Sequence, residues 1–285
     1  MSNNVLERHE SLRRGCRVLA VAAPPGASDD KSAVALNAAL YLGHHLRGTD
    51  QRVCFIDANF EHVATGALLG QTTPNIVEIV DNLYDKDYLA NVVTACLIEQ
   101  HEEWNVSFLL GPDDFTNSRV ITPRTYNAEL YLQVLDVLRS QFDYIVIDTP
   151  RKDSWHDILR KFALPEADRI LVPLAPTKRN IIVFRSWADR IAGPDQPEEN
   201  IARGKELNYD NILLMVNRTA SAEMLDNATV RSEVHNFVVD GIRDTDPWGI
   251  YRDTKQPIVN GGHDDIDAVF ATALYVAIGT DTLEP

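Results

Sequence analysis

The sequence predicts an α/β fold, a mostly parallel sheet of about seven to eight strands with helices on both faces. Two observations carry this expectation. Short β-rich runs alternate with helical patterns along the chain, the order in which crossover helices build a parallel sheet. Most of these runs are apolar throughout rather than alternating, as strands covered on both faces must be.

In chain order, the first strand is expected at Arg17–Ala22, followed by a long apolar helix over Ser32–Leu46. A second strand at Arg52–Ile56, a helix over Lys86–Gln100 and a third strand at Val106–Leu110 come next. The helix over Asn127–Ser140 has the clearest face. Leu130, Val134, Leu135 and Leu138 form one stripe, with Glu129, Gln133, Asp136 and Arg139 elsewhere. Strands at Tyr144–Ile147 and Arg169–Pro173, a helix over Ile181–Ile191, and strands at Asn211–Val216 and Phe237–Ile242 continue the alternation. The segment Ala192–Asn208, rich in Pro, Gly, Glu and Asp, reads as an exposed excursion. A last helix over Asp264–Ile278 opens on acidic residues, which suit the positive end of its dipole. There are no repeats or low-complexity tracts. Residues 1–14 read as a mobile lead-in and 15–285 as a single domain.

Composition narrows the functional classes. With 45% apolar residues the 285-residue chain has ample core. No run of about eighteen apolar residues supplies a transmembrane helix, and the polar start has no secretory h-region. Cys16, Cys54 and Cys96 are odd in number and far apart, and no CxxC pair supports a metal site; Cys16 and Cys54 border apolar runs and are expected as reduced, buried thiols, in a cytoplasmic location. The net charge of −15, with 27 scattered basic residues, argues against nucleic-acid binding, which needs clustered cations.

Chemistry concentrates at the first strand–helix junction. The strand Val18-Leu19-Ala20-Val21-Ala22 runs through Ala23-Pro24-Pro25-Gly26-Ala27-Ser28-Asp29-Asp30 into Lys31-Ser32 and the long helix. Strand, loop, Lys-Ser and helix is the order of a phosphate-binding loop, where backbone N–H groups, a lysine charge and a metal-holding hydroxyl converge. An ordinary turn with Ser32 near the helix N-cap has the same order. Two further strands end on carboxylates, Asp57 in "VCFID" and Asp148 in "FDYIVIDTP". Either alone reads as a strand terminator. Together, at the carboxyl ends of parallel strands, they stand where an α/β fold places its ligand chemistry and offer the oxygen ligands magnesium takes. The paired His44-His45 and the isolated histidines lack partners at ligand spacing.

Through "VLAVAAPPGASDDKSAVALNAAL", "RVCFIDANFEHVATGALLG", "FDYIVIDTP", "ILVPLAPTKRNI" and "ILLMVNR", the chain resembles the ParA/MinD family of deviant Walker P-loop ATPases. Within it the chain looks most like the TadZ/CpaE branch, which localises and helps assemble Tad-type pili. The branch features are the stretch from Asp57 to Gly70, "NIVEIVDNLYDKDYLANVV", "VSFLLGPDD" and "VLDVLRSQFDYIVIDTP". The resemblance implies a P-loop NTPase fold, ATP and magnesium as ligands, and protein partners in an assembly or polar-localisation machine, with self-pairing as a homodimer. It implies that Lys31 contacts the β/γ phosphates, Ser32 the magnesium and Asn217 the adenine. Asp148 would act as the Walker B carboxylate and Asp57 in the metal shell. The basic membrane-binding helix of MinD proteins has no counterpart in the acidic C-terminal segment, so direct membrane binding is not expected.

Departures from the family loop define a degenerate Walker A. Gly26 replaces the signature lysine, Ala27 and Ser28 replace both central glycines, Asp30 replaces the glycine before Lys31, and Asn59 stands where the family orients water with Asp. Like charges about 5 Å apart repel by roughly 3 kcal/mol at an effective dielectric near 20, so Asp30 opposes a triphosphate. The expectation is a localisation or assembly scaffold with weak or absent ATPase activity. In that case the pocket is a nucleotide-free fossil, with Lys31 satisfied by Asp57, Asp148 or the Asp29–Asp30 pair. The alternative is an active, dimerising ATPase used in positioning or partition. A metabolic relative of the amidotransferase or dethiobiotin-synthetase kind has no substrate motif in its support.

Overall fold

A computed structural model describes residues 15–27, 30–59, 64–76, 78–79, 89–100, 104–111, 128–150, 162–193, 207–217, 224–242, 259 and 263–279. The expected lead-in 1–14, Ser28, Asp29 and most of the excursion after Ala192 lie outside them. The strands are β1 (Arg17–Val21), β2 (Val53–Asp57), β3 (Ile98–Gln100), β4 (Val106–Leu109), β5 (Tyr144–Asp148), β6 (Arg169–Leu174), β7 (Ile212–Val216) and β8 (Phe237–Asp240). They form one eight-stranded sheet in the order β3-β4-β2-β5-β1-β6-β7-β8. All neighbours pair parallel except β3 and β4.

The helices are α1 (Lys31–His45), α2 (Ala64–Leu69), α3 (Leu89–Ala95), α4 (Ala128–Arg139), α5 (Leu164–Glu166), α6 (Lys178–Ala192), α7 (Asn227–Glu233) and α8 (Asp264–Ile278). Successive strand residues point to opposite faces. Ile170, Val172, Ile212 and Leu214 therefore pack with α4 and α6, while Leu171, Leu213 and Met215 pack with α1 and α8. The apolar strands expected from sequence are thus covered on both sides, and Val18, Cys54, Ile145 and Ile170 are fully buried.

Two expectations need correction. The helix over Lys86–Gln100 ends at Ala95, and Ile98–Gln100 instead forms an antiparallel edge strand with Ile98 opposite Phe108. Pairing with the open edge of β4 overrides the local pattern there. The helix expected from Ile181 begins at Lys178, because the Thr177 hydroxyl accepts the Asn180 N–H at 3.2 Å and caps it. Cys16 and Cys54 are buried free thiols, as expected, and Cys96 is one as well.

Gly43 sits where α1 meets the turn into β4. The Asn105 side-chain amide donates to its carbonyl at 3.0 Å. A Cβ at Gly43 would lie 2.9 Å from the Asn105 carbonyl oxygen and closer still to the Trp104 carbonyl and the Val106 side chain. Gly43→Ala should therefore destabilise by about 1–3 kcal/mol through overpacking, although alanine is the better helix former by about 1 kcal/mol. Urea denaturation of the two proteins checks this; equal or greater stability in the variant would contradict the packing account.

Candidate functional site

The parallel register decides which side chains meet. Asp57 and Asp148, the last residues of β2 and β5, are direct neighbours across the sheet. The segment after β1, the strand on the other side of β5, turns through Gly26 and enters α1 at Lys31. Gly26 has φ +75°, and a Cβ there would meet nothing within 4 Å, so backbone conformation and not space calls for glycine. Asp30 takes the N-cap position in the left-handed region, with φ 57° and no side-chain cap bond. Aspartate tolerates this region better than most residues, but glycine occupies it without strain. Ser32 lies inside the first turn of α1 and is not its cap.

Lys31 is 3% exposed. Its ammonium donates to the Asp148 carboxylate and to the Thr149 carbonyl. The Thr149 hydroxyl and N–H both donate to the Val21 carbonyl, at 2.9 and 3.2 Å, which fixes that carbonyl beside the loop. The lysine is thus satisfied by Asp148 and a backbone oxygen. A buried ion pair of this kind holds when its remaining polar atoms are also bonded, and removing one member strands the other.

Asp57 lies beside the pair. Burial first, and the neighbouring Asp148 charge second, push its carboxyl up to about 8. The Thr65 hydroxyl, the Asn59 N–H at 3.2 Å and the Lys31 charge oppose the rise. A raised proton affinity at Asp57 lowers the net charge buried beside the Lys31–Asp148 pair. The Asn59 side-chain amide donates to the Ser32 hydroxyl at 2.7 Å, linking the end of β2 to α1. Lys31, Ser32, Asp57, Asn59 and Asp148 are thus gathered at one carboxyl edge.

Asn217 stands apart, at the end of β7. Its side-chain carbonyl accepts the Ile242 N–H at 3.0 Å, its own N–H donates to the Leu174 carbonyl at 2.9 Å, and it is fully buried. Its side-chain nitrogen is a buried donor without a partner among the described residues. Gly241 is required against it, since a Cβ there would collide with the Val216 and Asn217 oxygens.

Sequence reasoning missed three supporting residues. Thr65 on α2 and Thr149 carry no signal beyond being ordinary threonines. Gly111 had one: a glycine just past a strand end at the carboxyl edge. A Cβ on it would lie 2.9 Å from the Asp57 carbonyl oxygen and 3.4 Å from its carboxyl carbon, so glycine leaves room for that acid. Among the described residues no cluster of three or more His, Cys, Asp or Glu forms a metal site, and no helix is long and apolar enough to cross a membrane.

The Asp57 environment has a signed consequence. Between pH 3.8 and about 8 the folded chain keeps a proton there that the unfolded chain has released. The contribution to stability is full below that window and is lost as pH rises through it, by up to about 1.4 kcal/mol per pH unit. Asp57→Asn cannot ionise, so its stability relative to the parent should grow from pH 5 to pH 8 and then level off. Urea melts across that range check it, and parallel stability curves for the two proteins would contradict it.

No family model and no curated protein matches the sequence. Solved structures do match the fold. MinD in the MinC:MinD cell division complex of Aquifex aeolicus has a TM-score of 0.65 at 16% identity, covering 93% of this chain and 97% of that one. A ParA family ATPase from Chlorobium tepidum has a TM-score of 0.64 at 15% identity over 93% and 99%. Cobyrinic acid a,c-diamide synthase from Mycobacterium smegmatis, with bound ATP analogue and magnesium, has 0.59 at 16% over 93% and 97%. At these identities the likeness speaks for architecture, which a cell division protein, a ParA family ATPase and a synthase share. The chain has the mostly parallel, helix-covered sheet of the MinD/ParA P-loop fold.

Proposed function

We propose that this chain is a ParA/MinD-like localisation or assembly factor that works as a scaffold for protein partners, with ATP turnover weak or absent. The observation that carries the reading is the internal satisfaction of Lys31. The cation that would face the β/γ phosphates is bonded to Asp148 and the Thr149 carbonyl. Asp30, directly before it, places a carboxylate where a phosphate cradle needs bare backbone. The resemblance to TadZ/CpaE selects a Tad-type pilus as the machine. The MinD neighbour is seen with a protein partner, MinC, and protein partners together with self-pairing are the reading for this chain.

The donor set still fits a magnesium nucleotide. Ser32, Asp57 and Asp148 supply the hard oxygens magnesium prefers, and they stand at one edge beside Lys31. A bound magnesium triphosphate would supply a phosphoanhydride open to in-line attack by water. The chain's own part would be to release Lys31 from Asp148 toward phosphate charge, to hold the metal's shell with Ser32, Asp57 and Asp148, and to orient water from Asn59. Asn59 is a neutral hydrogen-bonding group that adds no negative charge. This retention favours the second reading, an active ATPase that dimerises around nucleotide, and the ATP analogue in the synthase neighbour agrees with it.

Thermal denaturation with and without millimolar magnesium ATP separates the two. A ligand at 100 times its Kd adds about 2.7 kcal/mol, a shift easily seen. The scaffold reading expects no rise in melting temperature, and phosphate release equal to that of Lys31→Ala. A clear rise, with turnover lost in Lys31→Ala, would establish the working ATPase instead. Removing the opposing charge with Asp30→Gly should raise ATP affinity by on the order of a hundredfold if repulsion there is what excludes nucleotide.

A further inference from the structure

The exposed large apolar side chains among the described residues are Ile182, Tyr275 and Val276. They fall on two helices of opposite charge. The solvent stripe of α6 carries Lys178, Arg179, Ile182, Arg185 and Arg190. Its one acid, Asp189, accepts the Tyr209 hydroxyl at 2.6 Å, and Arg185, about half exposed, also pairs with Glu233 of α7 at 3.1 Å. This is a basic strip on a chain of net charge −15. The stripe of α8 runs Asp264, Asp265, Ala268, Thr272, Tyr275 and Val276, and the helix has no lysine or arginine.

The fold places these stripes back to back. Phe184 of α6 packs in the cluster that holds Val172 and Leu214, while Phe270 and Leu274 of α8 pack in the cluster that holds Leu171 and Leu213. The two helices therefore cover opposite faces of the same region of the sheet, around β6 and β7. Their directions are also opposed. α6 leaves the carboxyl end of β6 and ends near Tyr209, which precedes β7 at the amino edge. α8 runs antiparallel to α1, since Asp267 lies near His44 while Phe270, one turn later, stacks on Tyr41, one turn earlier in α1, at 6.4 Å, and so it runs from the amino edge toward the carboxyl edge.

We infer that α6 of one copy of this chain docks on α8 of the next, in a head-to-tail contact independent of the ATP reading. A copy displaced along the sheet normal lays the helices antiparallel. Arg185 and Arg190 then come to the Asp264–Asp265 end, Ile182 meets the Ala268–Thr272 stretch, and Arg179 approaches Tyr275, whose ring face attracts a guanidinium. Because the two surfaces differ and lie on opposite faces, the contact does not close at two copies and continues into a stack. Its apolar part supplies attraction and its charges set register and partner choice. The occupant is a second copy because the acidic stripe that complements the basic one is built into the same chain.

Sedimentation velocity of the full chain over a wide concentration range tests this. The expected result is open-ended growth in mass with concentration at low salt, weakened at least tenfold at high salt as the charges are screened. Arg185→Glu with Arg190→Glu makes both stripes acidic, and Asp264→Lys with Asp265→Lys makes both basic. Each double variant alone should stay a single chain, and an equimolar mixture should regain the growth, which also shows that both are folded. A parent protein that remains one chain at every concentration overturns the inference. So does growth unaffected by either double variant, and so does a mixture that stays dissociated.

Discussion

The contact between Lys31 and Asp148 organises the carboxyl edge of this molecule. It joins the first residue of α1 to the last residue of the central strand β5, with the Thr149 carbonyl as the second acceptor. An unpaired ammonium at 3% exposure is not tolerated, so the pair holds only while β1, β5 and α1 keep their present arrangement. Asp57 completes the balance from β2. Two ionised carboxylates against one lysine would leave a buried negative charge, and the raised proton affinity of Asp57 relieves it. The same three groups that neutralise one another are the ones a magnesium triphosphate would need to rearrange.

The layered sheet makes this edge possible. Parallel strands bring successive carboxyl ends to one side, so residues far apart in sequence, Lys31 and Asp148 among them, become neighbours without a local motif to join them. The opposite edge is pinned by structural contacts. Asp168 accepts the Val18 N–H at 2.8 Å, and Arg139 reaches Glu166 at 2.7 Å. The chain thus separates an amino edge of fixed caps and ion pairs from a carboxyl edge whose charges stand where ligand chemistry occurs in this fold.

Nucleotide chemistry and scaffold duty make different demands on the same loop. A phosphate cradle asks for bare backbone and free N–H groups, whereas Asp30 occupies a left-handed position with a side chain and a negative charge. Asn59, bonded to the Ser32 hydroxyl, is a neutral hydrogen-bonding group at the end of β2 that adds no charge to the cluster. Surfaces remote from the loop remain available for protein contacts, and the opposed charges of α6 and α8 give them a preferred mate.

The sequence by itself determined the architecture and which candidate residues share the carboxyl edge. Apolar strands alternating with amphipathic helices admit few arrangements besides a doubly covered parallel sheet, and Asp57, Asp148, Lys31 and Ser32 could be assigned to one edge because strand ends in such a sheet share a side. Tertiary structure alone decided the rest. Ile98–Gln100 is a strand because the β4 edge was open to it, which no local propensity records. That Lys31 takes Asp148 rather than Asp57, that Asp57 holds a proton, and that Thr65, Thr149 and Gly111 support them depend on register and burial, quantities that arise when distant segments meet in a medium that screens charge poorly.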